Sequence, residues 1–590
     1  MRIRCRFAVI AFGAVLPSLN PGRASADPRK NVPPPPAETR TSTQAEEAHE
    51  DTGKASRAAS MVPDWIVDAK WYEIEVDRFC NANPDNDLGI ISWDTPALAA
   101  GARAQATPDQ ASEAQYLPDM RRYGGDLQGV ASRLGYLKQL GVDAMILDPV
   151  FDGAARVPPS IRDLKHVDDA YGVRGSLDEV RDGSNDPKGR SWSASDRVLI
   201  DLVAKAHEQG LRIVLGGLFG DLGRMVAIGP TSESDRAEAA RRWLDPDADG
   251  DPRDGVDGFV VTPSVDATQE SLQSFTSLVH KVNPRGAVVL RDAARGSNPQ
   301  GMNGVDAIVS PRASAVFFGC LAGLQRDSTP DRFFEDLAKR HPQTGRLGGA
   351  VDLLQISGFM GPRAATVLAL PMPTFSASAA LSAPKPNDAT FSRVRLVTVL
   401  QHLSPGAPVT YYGDEVGRYG LCTPGPRGAM WWNDLPDPKM QSPDFRGDLF
   451  ALIQWLHDLR DKYPAIRRGD YQPVLFEDEK KILSFARALP GEQVILLMNY
   501  GDAKQLVNLP VGKPGDLVGV LSPLLDPSQH PKYKRANAPP YDRTKIEPLQ
   551  VGGSRQFVNQ DGTVRLWINP MSVRIVIAGE RVNSLRGGPK

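Results

Sequence analysis

Gly141-Val-Asp-Ala-Met-Ile-Leu-Asp-Pro-Val150 reads as a short buried strand, because the apolar run Ala144 to Leu147 is bounded by turn formers. Directly ahead of it, Leu127 to Leu140 has the length and pattern of an amphipathic helix that stops at Gly141, as a helix end should. A helix, a glycine and then a buried strand is the unit of a parallel sheet covered by helices. The unit recurs along the chain. Further strands are expected at Arg212-Ile-Val-Leu215, Gly258-Phe-Val-Val261, Ala287-Val-Val-Leu290 and Pro408-Val-Thr-Tyr411, with helical stretches at Arg197 to Gln209 and Ser271 to Val282. Repetition over roughly 400 residues favours a closed (β/α)8 TIM barrel over an open doubly wound sheet.

Beyond a helix expected from Leu449 to Tyr463, the pattern changes to short strands spaced by turns: Ile482-Leu-Ser-Phe485, Val494-Ile-Leu-Leu497, Leu506-Val-Asn-Leu509, Val564-Arg-Leu-Trp567 and Val573-Arg-Ile-Val576. No helix-period run intervenes, so a C-terminal antiparallel β-sandwich is expected. The α/β barrel is assigned to residues 61–470, with a short insertion at about 221–254, and the sandwich to residues 471–585. A chain of 590 residues with 41% hydrophobic content is ample for these two cores. Lys and Arg total 69 against 71 Asp and Glu, a formal net charge of -2, so no whole-chain field points to nucleic acid or an anionic membrane.

The N-terminus carries an address. Arg2, Arg4 and Arg6 precede an apolar run from Phe7 to Leu16, and Ala24-Ser25-Ala26 offers a small-x-small cleavage site. Residues 1–26 are therefore expected to be a signal peptide that exports the chain to the periplasm or the extracellular space. The apolar run is well short of the roughly 20 residues a spanning helix needs, and no other stretch is long enough to span. Residues 27–60, with Pro33 to Pro36 and scarcely a large apolar side chain, cannot bury enough surface to order themselves, and are expected to form a disordered linker. Removal of the signal leaves Cys80, Cys320 and Cys422, whose wide spacing argues against a disulfide framework.

Five segments carry a more specific signal: Trp71-Tyr-Glu-Ile-Glu-Val-Asp-Arg-Phe79, Gly124-Gly-Asp-Leu-Gln-Gly129, Gly141 to Val150, Trp243-Leu-Asp-Pro-Asp-Ala-Asp-Gly-Asp-Pro-Arg-Asp-Gly-Val-Asp-Gly258, and Gly406-Ala-Pro-Val-Thr-Tyr-Tyr-Gly-Asp-Glu-Val-Gly417. In this order they resemble the α-amylase family of glycoside hydrolases (family 13), and within it the neopullulanase and cyclomaltodextrinase relatives. The resemblance covers roughly residues 65 to 580 and implies the same barrel and sandwich. It also implies a retaining mechanism, in which a nucleophilic carboxylate and an acid/base carboxyl stand about 5 Å apart across the scissile bond. The family adds a stabilising Asp, an Arg that orients the nucleophile, and two His that grip the sugar.

At the matching positions this sequence carries other residues. The third strand has Gly216, Gly220 and Asp221 where the family has Asp, Asn and His. The fourth has Val260 in place of the Arg and Thr262 in place of the nucleophile, and a Thr hydroxyl is a weak nucleophile without an adjacent base. The fifth has Arg291 in place of the acid/base Glu, with Asp292 next along. A one-residue slip that brought Asp292 into that position would also turn it to the other face of the strand. Thr374 to Ser382, where a His-Asp pair is expected, contains neither residue type. An amylase-like pseudoenzyme is therefore expected. The competing readings are an enzyme rebuilt from Asp148, Asp221 and Asp292, and a structural envelope component that engages a protein partner.

Two oxygen-rich segments are candidate calcium sites. Asn81, Asn83, Asn86, Asp87, Gly124 and Asp126 match residue types with which many neopullulanase-like members hold Ca2+, and this hard cation takes about 6–8 oxygen ligands. Asp245, Asp247, Asp249 and Asp251 alternate as in the first half of an EF-hand loop, but Val256 stands where the closing Glu is needed. An α-glucan or oligosaccharide is the expected ligand class, with Trp431, Trp432 and Tyr171 as candidate platforms.

Overall fold

The computed structural model describes residues 62–87, 123–156, 159–181, 191–217, 232–261, 268–291, 304–310, 317, 346–347, 350–357, 363–369, 384–419, 428–436, 440–534 and 541–580. The expected signal peptide and linker lie outside the described residues, as do Cys320, Cys422 and residues 374–382.

Eight strands run parallel and close on themselves. In chain order the strands are β1 (Trp71–Glu75), β2 (Ala144–Asp148), an excursion β3 (Phe151–Arg156) and β4 (Pro159–Val167), then β5 (Arg212–Gly216), β6 (Gly258–Val261), β7 (Ala287–Arg291), β8 (Ala307–Ser310), the short β9 (Arg346–Leu347), β10 (Ala350–Gln355) and β11 (Ala407–Tyr411). The neighbours are β11-β1-β2-β5-β6-β7-β8-β10, and β10 pairs in turn with β11. Leu353 aligns with Ala407, and Trp71 with Val409, at the seam. β3 and β4 form a separate antiparallel hairpin outside the barrel.

Alternation along the strands divides the side chains into two sets. Trp71, Ala144, Ile146, Val214, Val260, Ala287, Val289, Ala307, Val309, Val351, Leu353, Ala407 and Val409 pack together as the barrel interior. Their neighbours one residue along, such as Tyr72, Met145, Leu147, Ile213, Phe259, Val288 and Ile308, join the core beneath the surrounding helices. Several helix starts carry a reciprocal capping box. Ser193 and Asp196 form a reciprocal capping box at the helix Ala194–Glu208, and Asn387 and Thr390 do so at Asp388–Leu403. The stretch Leu127 to Leu140 is two helices, Leu127–Ser132 and Leu134–Leu140. They part at Arg133, whose guanidinium reaches Asp434 at 2.7 Å. Gly141 ends the second in the left-handed region, at φ 88°, a conformation glycine adopts without steric cost.

The C-terminal strands are β12 (Asp470–Glu477), β13 (Ile482–Leu489), β14 (Glu492–Asn499), β15 (Gln505–Pro510), β16 (Leu517–Pro523), β17 (Val551–Phe557), β18 (Thr563–Ile568) and β19 (Ser572–Gly579). They form an antiparallel six-stranded sheet, β12-β13-β14-β19-β16-β17, facing the pair β15-β18 across an apolar core that includes Ile495, Leu509 and Leu566. The opposite face of the larger sheet, with Leu483, Phe485, Leu496 and Ile575, shares one core with the barrel helices through Leu400, Leu452, Leu456 and Ile466. Barrel and sandwich are thus joined by a continuous apolar interface.

Candidate functional site

In barrels of this kind ligands bind at the C-terminal ends of the strands. The alternation that sends Ile146, Val214, Val289 and Leu353 inward sends Asp148, Gly216, Arg291 and Gln355 inward two residues later. These positions form the last layer before the mouth, and its occupants are polar. Arg291 is 6% exposed, and its guanidinium donates through Nη1 to Asp148 Oδ2 and through Nη2 to Glu73 Oε1, the latter at 2.6 Å. Gln355 donates its amide to the other Glu73 oxygen. Tyr411 donates its hydroxyl to Glu75, whose second oxygen lies 3.3 Å from Arg78 Nε. Burial pushes the Glu73 carboxyl above the usual carboxylate range, although Arg291 opposes that shift.

Gly216 makes the layer possible. A Cβ at this position would lie 2.5 Å from Asp148 Cγ and 2.7 Å from Asp148 Oδ2, well inside van der Waals contact. The Asp148 side chain therefore occupies the space that any side chain on strand three would need. Val260, the register partner of Gly216 on the neighbouring strand, is fully buried in the apolar layer below. Gly220, Asp221, Thr262 and Asp292 lie outside the described residues. Among the described residues, then, the third, fourth and fifth strands present Gly216, Val260 and Arg291 to the interior. Of the acids named for a rebuilt site, Asp148 is committed to Arg291.

Residues 73–186 match the profile of the α-amylase catalytic domain. Neopullulanase 2 of Thermoactinomyces vulgaris is 24% identical over 486 residues, 77% of this chain and 73% of the relative. Cyclomaltodextrinase of Geobacillus thermopakistaniensis (strain MAS1) is 25% identical over 491 residues, 78% and 74%. The chain is a relative of the α-amylase family. Its fold agrees: an Anoxybacillus α-amylase superimposes with a TM-score of 0.58 at 17% identity, covering 89% of this chain and 99% of the other. A solved cyclomaltodextrinase gives 0.59 at 17% identity over 87% and 79%. The Geobacillus thermoleovorans α-amylase, solved with acarbose, gives 0.56 at 17% identity over 88% and 99%. This α-amylase relative is a glycoside-hydrolase-like protein of carbohydrate metabolism.

The first oxygen-rich segment is assembled by the loop after β1 and the turn before the helix Leu127–Ser132. The structure divides the six residues between two tasks. Asn81 donates to Asp87 at 2.8 Å, and both crowd against Gly124, where a Cβ would meet Asp87 Oδ1 and come within 2.7 Å of Asn81 Nδ2. Asn83 and Asn86 turn their amide nitrogens to the Gly172 carbonyl at 3.1 and 3.0 Å. Asn86 is 2% exposed, and its Oδ1 has no hydrogen-bond partner. Asp126 binds the loop itself, accepting from the backbone N–H of Ala82, Asn83 and Gly129. A buried acceptor without a donor, beside a cradle that only glycine leaves open, fits an oxygen-seeking cation.

The acidic loop before β6 differs from the EF-hand pattern. Asp245, Asp247 and Asp254 bring carboxylate oxygens within 4.8 Å of one another. Asp249 caps the N–H of Asp251, and Asp251 pairs with Arg253. Asp254, outside the alternating pattern, therefore stands where Asp249 and Asp251 were expected. Of the aromatic candidates, Trp432 is a core residue, 1% exposed, with its Nε1 donating to Phe79 O at 2.6 Å. Tyr171 is likewise buried. Trp431 is half-buried and carries the Arg418 guanidinium 5.0 Å above its ring.

Proposed function

We propose that the chain is an exported, amylase-like pseudoenzyme that binds α-glucan without cleaving it and serves as a glucan-binding or protein-interaction scaffold. One observation carries the reading. Arg291 stands at the inward end of the fifth barrel strand, tied to Glu73 and Asp148, where a retaining glycosidase needs a carboxyl that can give up a proton. A guanidinium remains protonated throughout the physiological range and cannot serve as the acid. The names of the relatives support a glucan ligand, since neopullulanase, cyclomaltodextrinase and an acarbose-bound amylase surround this chain. Export follows from residues 1–26.

Calcium belongs to the same proposal. Asn86 Oδ1, Asp87 and the Gly124 turn would hold Ca2+, with Asn81 beside them, and the ion would fasten the loop after β1 to the turn before the next helix. The loop of Asp245, Asp247 and Asp254 is a second candidate.

Calorimetric titration with maltoheptaose, followed by analysis of the recovered sugar, tests the function. Saturable heat with maltoheptaose recovered intact supports a binding scaffold. No binding at millimolar sugar, or recovery of shorter products, would overturn it.

A further inference from the structure

Behind the turn that follows β11, the helices Ala364–Ala369, Asp388–Leu403 and Gly447–Lys462 leave a cavity of about 10 Å³ open to the centre of a water molecule. That is the room one water needs. Much of its wall is apolar, with Ile356 and Val394 among the lining side chains, and three further lining residues are Thr410, Asp414 and Arg418. Each of the three presents a buried polar atom with no hydrogen-bond partner: Thr410 Oγ1, Asp414 Oδ2 and Arg418 Nε. Thr410 is only 3% exposed. A fourth polar residue of the wall, Gln401, has its amide nitrogen engaged by the carbonyls of Leu354 and Val409, at 2.8 and 2.9 Å.

We propose that this cavity is a binding site for a single water molecule that joins Thr410, Asp414 and Arg418. The donor set selects the guest. Arg418 Nε–H can only donate, the Asp414 carboxylate oxygen accepts, and the Thr410 hydroxyl does either. An anion would be welcome to Arg418 and Thr410 but would face the Asp414 carboxylate. A cation would be welcome to Asp414 and Thr410 but would face Arg418. Water accepts from Arg418, donates to Asp414 and uses its remaining hydrogen or lone pair on Thr410, so all three atoms are satisfied by one molecule.

Among the described residues, the site gives Arg418 a polar connection that its side chain otherwise lacks. Among the described residues its side chain forms no ion pair or hydrogen bond, and it rests on the Trp431 ring. Asp414 Oδ1 meets Arg363 Nη1 at 3.2 Å, and Arg363 lies 4.5 and 4.6 Å from the ring centroids of Tyr411 and Tyr412. The water therefore closes a chain from Arg363 through Asp414 to Arg418 behind the barrel mouth, and fixes where Arg418 presents its guanidinium.

Two variants of Thr410 read the guest by the order of their stabilities. Thr410→Ser keeps the hydroxyl and loses a methyl group, and Thr410→Val keeps the shape and loses the hydroxyl. With water bound, Thr410→Val is the less stable, its unfolding midpoint falling by about 1–2 °C below that of Thr410→Ser. Without a guest, removal of an unpaired hydroxyl makes Thr410→Val the more stable of the two, and that order overturns the proposal. A high-resolution crystal structure of the unaltered chain decides independently. It is expected to show one peak within hydrogen-bond distance of all three atoms; the lack of such a peak, or an anomalous bromide signal there after halide exchange, overturns it.

Discussion

Arg291 shows how much one position changes. Its guanidinium pairs with two carboxyl groups that are each 1% exposed, Glu73 and Asp148. Removal of the cation from such a cluster leaves buried charge without compensation and costs about 3–5 kcal/mol. Arg291→Met is therefore expected to lose stability of that order in urea unfolding. Arg291→Glu is expected to be less stable still and to remain inactive, because it sets a third carboxylate beside two others. A stable Arg291→Glu variant that cleaves glucan would contradict the account. Glu415 supplies a second prediction. It is fully buried, takes the hydroxyls of Tyr72 and Tyr136 on one oxygen at 2.6 and 2.8 Å, and has no partner for the other. Burial pushes its carboxyl up to about 7. An unfolded Glu titrates near about 4.3, so the folded chain holds this proton more tightly. The contribution to stability is full below about pH 4 and is lost as pH rises through about 7, a fall of about 2 kcal/mol between pH 5.5 and 8.5. Glu415→Gln is expected to remove this part of the dependence; an unchanged pH profile would refute the assignment.

Among the elements, the central strands were the most legible. Apolar runs such as Ala144 to Leu147 and Ala287 to Leu290 are buried on both faces, so burial and sequence pattern coincide. β17 was not legible. Val-Gly-Gly-Ser-Arg-Gln-Phe is an exposed edge strand, and its pairing with β16 comes from backbone bonds that leave no alternation to read. Arg291 at the end of the fifth barrel strand could be read from the sequence. Its partners could not, since Asp148 and Glu73 stand 143 and 218 residues away and only barrel closure brings them together. A signal existed in β1, where Glu73 and Glu75 interrupt a strand that is buried throughout. The proposed calcium sites belong to this scale as well, because a bound ion would fasten one element to the next. At a free calcium level about 100 times the dissociation constant, binding stabilises by about 2.7 kcal/mol. The chain is expected to unfold at a higher temperature in calcium than in chelator, and Asn86→Leu to lose most of that difference. Equal midpoints with and without calcium would dismiss the site.

Over the whole molecule, barrel and sandwich share a core in which Leu400, Leu452 and Leu456 of the barrel helices meet Leu483, Leu496 and Ile575 of the sheet. Polar contacts reinforce it. Arg487 of the sheet donates to the barrel carbonyls of Leu403 and Gly469 at 3.5 and 2.7 Å, and Glu492 accepts from the Ala465 N–H at 2.6 Å. Domains joined by a large apolar interface unfold together rather than in turn. Scanning calorimetry is therefore expected to show one transition for both, and a separate transition for the sandwich would contradict the shared core. The apolar layers and the sandwich contacts hold the fold, and the last polar layer is stabilised by the Arg291 cluster itself. The central claim is that this layer no longer breaks glycosidic bonds. The most direct test incubates concentrated protein, with calcium, on starch, pullulan, cyclodextrin and maltooligosaccharides and counts new reducing ends. The account predicts no release above a protein-free control. Release well above that control, abolished by Asp221→Asn or Asp292→Asn, would contradict it and identify a rebuilt active site.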